Sequence, residues 1–218
     1  MNTTSTKTLT SGINKTLRQV YQLVGMNMAT SSIVALICMN IGLSRMASLG
    51  MTIGALVLLF VIGKHANKTS GVILTFLFTG LLGGSLGPTL HAVASIQGGS
   101  EIIFQSLGAT ALVFFALSAY TLSKPDKDFS NLGGFLFIGL IVAIIASVAN
   151  IFLQIPAMSL AVSAAITFIM SGYIIYDTNR IMRNPSTNYV MATVSMYLNI
   201  FNLFTSILHL LAAFSGDD

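Results

Sequence analysis

Leu132-GGFLFIGLIVAIIASVANIFL-Gln154 runs without a single charged side chain. A helix rises 1.5 Å per residue, so about 20 such residues cross the ~30 Å hydrocarbon core of a bilayer. Working outward, six more stretches have the same character: Leu23 to Leu43, Met46 to Gly63, Gly71 to Ser95, Glu101 to Ser123, Ala157 to Tyr176 and Tyr189 to Phe214. The composition agrees. The chain is 54% apolar and 7% charged, where a soluble domain carries about 25% charged residues. The expectation is an all-α polytopic membrane protein with seven transmembrane helices in a lipid bilayer. It divides into a polar tail over 1–22, a seven-helix domain over 23–214 and a short acidic tail over 215–218.

Basic residues near a span resist translocation, and their distribution is uneven. Lys7, Lys15 and Arg18 precede the first span, Lys64 and Lys68 fill the second gap, Lys124 and Lys127 the fourth, and Arg180 and Arg183 the sixth. Against these nine, the other side has Arg45 alone, and the chain ends in Asp217 and Asp218. This places the N-terminus in the cytoplasm and the C-terminus outside, which requires an odd number of spans. The net charge of +4 is therefore a topological signal. No basic patch with interleaved aromatics points to nucleic acid. The leading polar residues lack the short apolar core and cleavage site of a signal peptide, so the first span is expected to remain as an anchor. Cys38 is the one cysteine, which leaves no disulfide framework. Sequons at Asn2, Asn14 and Asn67 all fall on the cytoplasmic side and carry no weight.

The seventh span has an ordered polar stripe. Asn188, Ala192, Ser195, Asn199, Asn202, Ser206 and His209 follow one another at steps of three and four, which keeps them on one helical face. Unpaired amide or imidazole groups facing lipid would cost several kcal/mol each, so this face is expected to meet protein or water, with helix 7 central. The sixth span carries Ser159, Ser163, Thr167 and Ser171 at steps of four. The third carries Gly80, Gly83, Gly84 and Gly87 as two overlapped GxxxG pairs, followed by Pro88. Small residues allow close helix approach, and the proline predicts a kink.

Asp177 closes the sixth span, at the helix end where the dipole disfavours negative charge, and Arg180 stands one turn on as a candidate partner. Burial opposes the carboxylate charge and Arg180 supports it, so Asp177 is a candidate proton-binding group. Glu101 opens the fourth span, where the dipole favours it. Gly83-Gly84-Ser85-Leu86-Gly87 matches GxSxG, yet a nucleophile elbow needs a strand-to-helix turn. Ser85 with His209 as an intramembrane protease pair is a remote reading. No HExxH, Walker or Cys/His metal spacing occurs, and neither cofactor, metal nor catalytic residue is expected.

Five segments together resemble the Bax-inhibitor family of seven-helix membrane proteins, and within it the bacterial YccA-like inner-membrane branch. They are TGLLGGSLGPTL (79–90), GATALVFFALSAY (108–120), VANIFLQIPA (148–157), YIIYDTNRI (173–181) and TNYVMATVSMYLNIFNLF (187–204). The resemblance implies six helices around a central seventh in the bacterial inner membrane. It also implies two activities. One is modulation of the membrane AAA protease FtsH, with the tail from Met1 to Gln22 as its handle. The other is a pH-sensitive cation (calcium) leak, in which two aspartates share a proton and hold the pore shut. The first aspartate maps onto Asp177, and the second onto Asn199. An amide keeps a hydrogen bond but loses the charge repulsion that sharpens a proton switch. Leak-type members also carry an acidic residue in the second span, whereas the first acidic residue here is Glu101. Protease modulation therefore ranks above the leak. The proton-sensing candidates are Asp177, Asn199 and Arg180, with Asn202 a turn further along.

Overall fold

The computed structural model describes residues 3–184 and 186–215, with side chains from residue 15 onward. Asn2 and the acidic terminus at Asp217 and Asp218 lie outside the described residues. All regular structure among the described residues is helical, in eight segments: α1 (Thr3–Asn40), α2 (Arg45–His65), α3 (Thr69–Ser85), α4 (Gly87–Ala94), α5 (Gly99–Leu122), α6 (Leu132–Leu153), α7 (Pro156–Arg183) and α8 (Tyr189–Ser215). Because α3 and α4 form one span, seven helical stretches are long and apolar enough to cross a membrane. Phe152, Phe104, Met46, Phe135 and Phe168 are each more than three-quarters exposed. In water that surface would aggregate; against hydrocarbon it is the expected exterior.

The chain divides into two compact units, 1–97 with 184–197 and 98–183 with 198–218. In the first unit, α1 packs along α3 and α4, and α2 packs on α3. Ser44 caps α2 by accepting the Ala47 N–H at 3.2 Å. The expected kink is an interruption at Leu86. Pro88 has no N–H, so the helical ladder cannot run on through this turn. The carbonyl that Pro88 would have served is that of Gly84, four residues earlier; in the same turn the Ser48 hydroxyl on α2 donates to the Ser85 carbonyl at 2.6 Å. The glycines are spaced for contact. A Cβ on Gly83 would run into the Ser31 carbonyl, and one on Gly87 would lie 2.8 Å from Cys38 Cβ.

In the second unit, α5 and α6 both pack on α7. The α6–α7 turn is only Gln154 and Ile155. Gln154 takes the left-handed conformation at φ 52° and Pro156 starts α7, the usual pairing of a left-handed helix stop with a proline start. Hydroxyls inside the spans are mostly self-satisfied. Ser106, Thr110, Thr121, Ser147, Thr167 and Ser171 each donate to the carbonyl four residues earlier, which removes a polar hydrogen from lipid without needing a partner helix. The helix α8 contributes residues to both units. Its most apolar window is 39% buried, against 11% for α2 and α6, so α8 is more buried than those two helices.

Candidate functional site

α7 continues to Arg183, seven residues past the expected end at Tyr176. The expectation that Asp177 sits at the unfavourable end of a dipole is therefore corrected: it lies nearly two turns inside. The last turn is occupied by Arg180 and Arg183, whose charges suit the helix C-terminus. Asp177 shares a buried face with Ile174, Thr178 and Ile181, and is 4% exposed.

There it meets α8. Asn199 Nδ2 donates to Asp177 Oδ2 at 2.7 Å, and Asn199 is itself 6% exposed. A hydrogen bond between neutral groups is worth about 0.5–1.5 kcal/mol and one to a charged group about 1.5–3, and leaving either buried group bare costs about 1–3 kcal/mol. The two residues that the resemblance paired are thus in direct contact.

The other two site candidates fall elsewhere. Arg180 is exposed; three residues on, it lies about 60° around the helix from Asp177, which turns it outward while Asp177 turns in. Arg183, one turn further on, forms an ion pair with Asp128 at 3.4 Å. Asn202 is half-buried and spends its Nδ2 on the Leu198 carbonyl of its own helix at 2.8 Å, so it adds no bridge.

Sequence reading missed Asn179. Its Oδ1 accepts the Phe129 N–H at 3.1 Å and its Nδ2 donates to the Lys127 carbonyl at 2.9 Å, clamping the α5–α6 loop to α7 from both sides of one amide. Phe129 is buried beneath, with the Lys127 ammonium 5.2 Å from its ring centroid. On the same loop, the Ser130 N–H donates to Asp128 Oδ1 at 2.8 Å. That bond, the Ser130 hydroxyl and then the Arg183 charge hold the Asp128 carboxyl below its ordinary range. The signal was present in YDTNR, where Asn179 sits two positions after Asp177, but its partner is a loop fifty residues away.

A second buried polar cluster lies in the first unit and was also unread. Asn27 Nδ2 donates to Thr75 Oγ1 at 3.2 Å, and its Oδ1 accepts from Thr79 Oγ1 at 3.1 Å. The Tyr197 hydroxyl shares a 2.7 Å hydrogen bond with Ser31 and donates to the Thr79 carbonyl at 3.3 Å. Asn27, Thr75 and Tyr197 are fully buried. The network ties α1 to α3 and to the first half of α8. Asn188, the first member of the expected stripe, is the cap of α8. Its Oδ1 accepts from Val190 and Met191, and its Nδ2 reaches Ala66 O and Asn67.

The serine of the GxSxG match and the histidine paired with it in the remote reading each have local partners. Ser85 Oγ donates to Leu82 O at 2.7 Å, and the His209 ring is engaged by Ser163 at 2.9 Å and Ser159 at 3.5 Å.

With the geometry established, comparison with known sequences is direct. The sequence profile of the family described as "Inhibitor of apoptosis-promoting Bax1" matches residues 13–216. An "Uncharacterized membrane protein" of Vibrio cholerae is 45% identical over 99% of this chain and 96% of its own length. The protein of Escherichia coli K12 named "Modulator of FtsH protease YccA" is 43% identical over 94% of this chain and 92% of its own. An uncharacterised protein of Pseudomonas aeruginosa is 36% identical over the same two shares.

Proposed function

This chain belongs to the Bax-inhibitor family of membrane proteins, and from that premise we propose that it binds and modulates a membrane AAA protease of the FtsH type in a bacterial inner membrane. The likeness to the E. coli modulator carries the reading: it covers 94% of the chain. The charge bias of the gaps supports a cytoplasmic N-terminus, on the side where such a protease would work. The first helix supports it further. At 1.5 Å per residue, Thr3–Asn40 is about 57 Å long, well beyond the ~40–45 Å of a whole bilayer. Its polar leading part therefore extends past the headgroups as a basic, acid-free handle.

In this reading Asp177 and Asn199 form a clasp that fixes α8 against α7 in the second unit. The contact is a carboxylate with an amide, and charge repulsion between two carboxylates is what a sharp proton switch requires. The pairing thus favours a held structure over a gated leak. The test is co-purification from native membranes, together with protease-dependent turnover of the full chain and of a variant lacking residues 2–14. We expect co-purification and a longer half-life for the truncated chain. Absence of the protease from the purified complex, with turnover unchanged by truncation, would remove the reading.

A further inference from the structure

At the end of the second unit remote from Arg180 and Arg183, α6 and α7 border an open cavity of about 320 Å³ lined by Ser147, Asn150, Ser159 and Ser163 together with Ile151, Val162 and Ile166. His209 reaches the same two α7 serines from α8. Ligand pockets run from about 300 to 1,000 Å³. Its depth is informative. Asn150 lies three residues before the end of α6, Ser159 three after the start of α7, and His209 six before the end of α8. These residues are therefore about 5 to 9 Å from the helix ends, the level at which headgroups meet hydrocarbon.

The cavity's chemistry is that of donors. The Ile155 N–H needs an acceptor and takes Asn150 Oδ1 at 3.0 Å, which fixes the amide orientation. Its Nδ2 is left with two donors that no hydrogen bond among the described residues uses. Ser147 spends its hydroxyl hydrogen on the Ala143 carbonyl at 2.8 Å; the two bonds that join Ser159, His209 and Ser163 use two of the three hydrogens these groups carry when the ring is neutral, which leaves one for an outside acceptor. No carboxylate stands on α6 or on the stretch of α7 that lines it, and Glu101, in the first turn of α5, is exposed. A cation would find no counter-charge there, whereas a phosphate oxygen, which only accepts hydrogen bonds, would find donors.

We propose that this cavity is a phospholipid headgroup site, in which phosphodiester oxygens accept hydrogen bonds from the Asn150 amide and from the hydrogen left over by the Ser159–His209–Ser163 chain. A lipid, and not a soluble anion, fits the surroundings. The same helix pair forms an almost wholly apolar groove of about 600 Å³ between Phe135 and Phe168, and Val162 borders both spaces. One molecule with a phosphate and an acyl chain satisfies both.

The test uses the full-length protein in nanodiscs containing phosphatidylglycerol, transferred to detergent and weighed by native mass spectrometry. One phospholipid per chain should be retained. In Asn150→Asp a carboxylate still accepts the Ile155 N–H but repels phosphate, and retention should fall by about tenfold, the loss expected for one charge-assisted hydrogen bond. His209→Leu should lower it similarly while leaving the helices folded by circular dichroism. Equal retention in the wild type and both variants would overturn the proposal. So would a protein that retains no phospholipid while inorganic phosphate alone shifts the His209 imidazole resonances, because the site would then belong to a free anion.

Discussion

Gly83→Ala adds one methyl group where there is no room for it. The new Cβ would collide with the backbone carbonyl and the hydroxyl of Ser31, and a carbonyl built into α1 cannot rotate away as a side-chain end can. Gly80, one turn earlier on the same helix, is the control: its Cβ would lie 3.8 Å from Val34 Cγ2, an ordinary contact. Both substitutions gain the helix-propensity difference of about 1 kcal/mol between Ala and Gly, so that gain cancels between them. What remains is the overpacking at Gly83, about 1–3 kcal/mol. Gly80→Ala is expected to be neutral or slightly stabilising and Gly83→Ala destabilising, with the gap between them about 1–3 kcal/mol. Unfolding by increasing mole fraction of SDS in mixed micelles, followed by far-UV circular dichroism, reads that gap. Equal midpoints for the two variants would refute the α1–α3 packing described above.

Tyr197→Phe removes a hydroxyl bonded to Ser31 and Thr79 and should cost about 1 kcal/mol, read in the same SDS titration. Asp177→Leu strands a buried Asn199 amide and should cost about 1–3 kcal/mol, whereas Asp177→Asn keeps an acceptor and should cost less; their order by thermal unfolding in detergent checks the clasp. Asn199→Asp should place two carboxylates in contact and introduce pH-dependent cation flux in proteoliposomes where the wild type shows none; silence in both would detach the clasp from conduction. The Asp128 carboxyl is held below its ordinary range, so its contribution is complete above the unfolded-state pKa and is lost as pH falls through the depressed folded-state value. Hydrogen exchange at Ser130 should accelerate across that acidic window relative to the base-catalysed trend, and an Asp128→Asn variant should lack the step.

All seven spans were legible because their signal is local: twenty apolar residues in a row need no partner to be recognised. The candidate site was half legible. Asp177 and Asn199 were named and meet, but Asp177 was expected at the end of its helix and lies nearly two turns inside it. The error came from letting the helix end where the apolar stretch ends. Burial of Asp177, Thr178 and Asn179 carries α7 on to Arg183, and that burial comes from α8 and the α5–α6 loop, which no local pattern reports. Asn27, Ser31, Thr75 and Thr79 were passed over for the same reason. Their bonds span from 48 to 166 residues, and in sequence they look like the hydroxyls and amides of any membrane helix.

Polar side chains in these spans divide by what the backbone can do for them. A serine or threonine reaches its own i−4 carbonyl and is then finished, so its position says little about neighbours. An amide has two donors and an acceptor, and one carbonyl of its own helix cannot satisfy all of them. Asn40 and Asn202 use only that local bond, and neither is buried. Asn27, Asn179 and Asn199 are buried, and each bonds across to another helix or loop. Replacing either of the first two by leucine should therefore be tolerated, while the same change at Asn27 or Asn179 should cost about 1–3 kcal/mol by leaving partners bare. If Asn202→Leu proved as damaging as Asn27→Leu, buried amides would not be what holds the helices in register, and Asn202 would return as a functional residue of the α8 face.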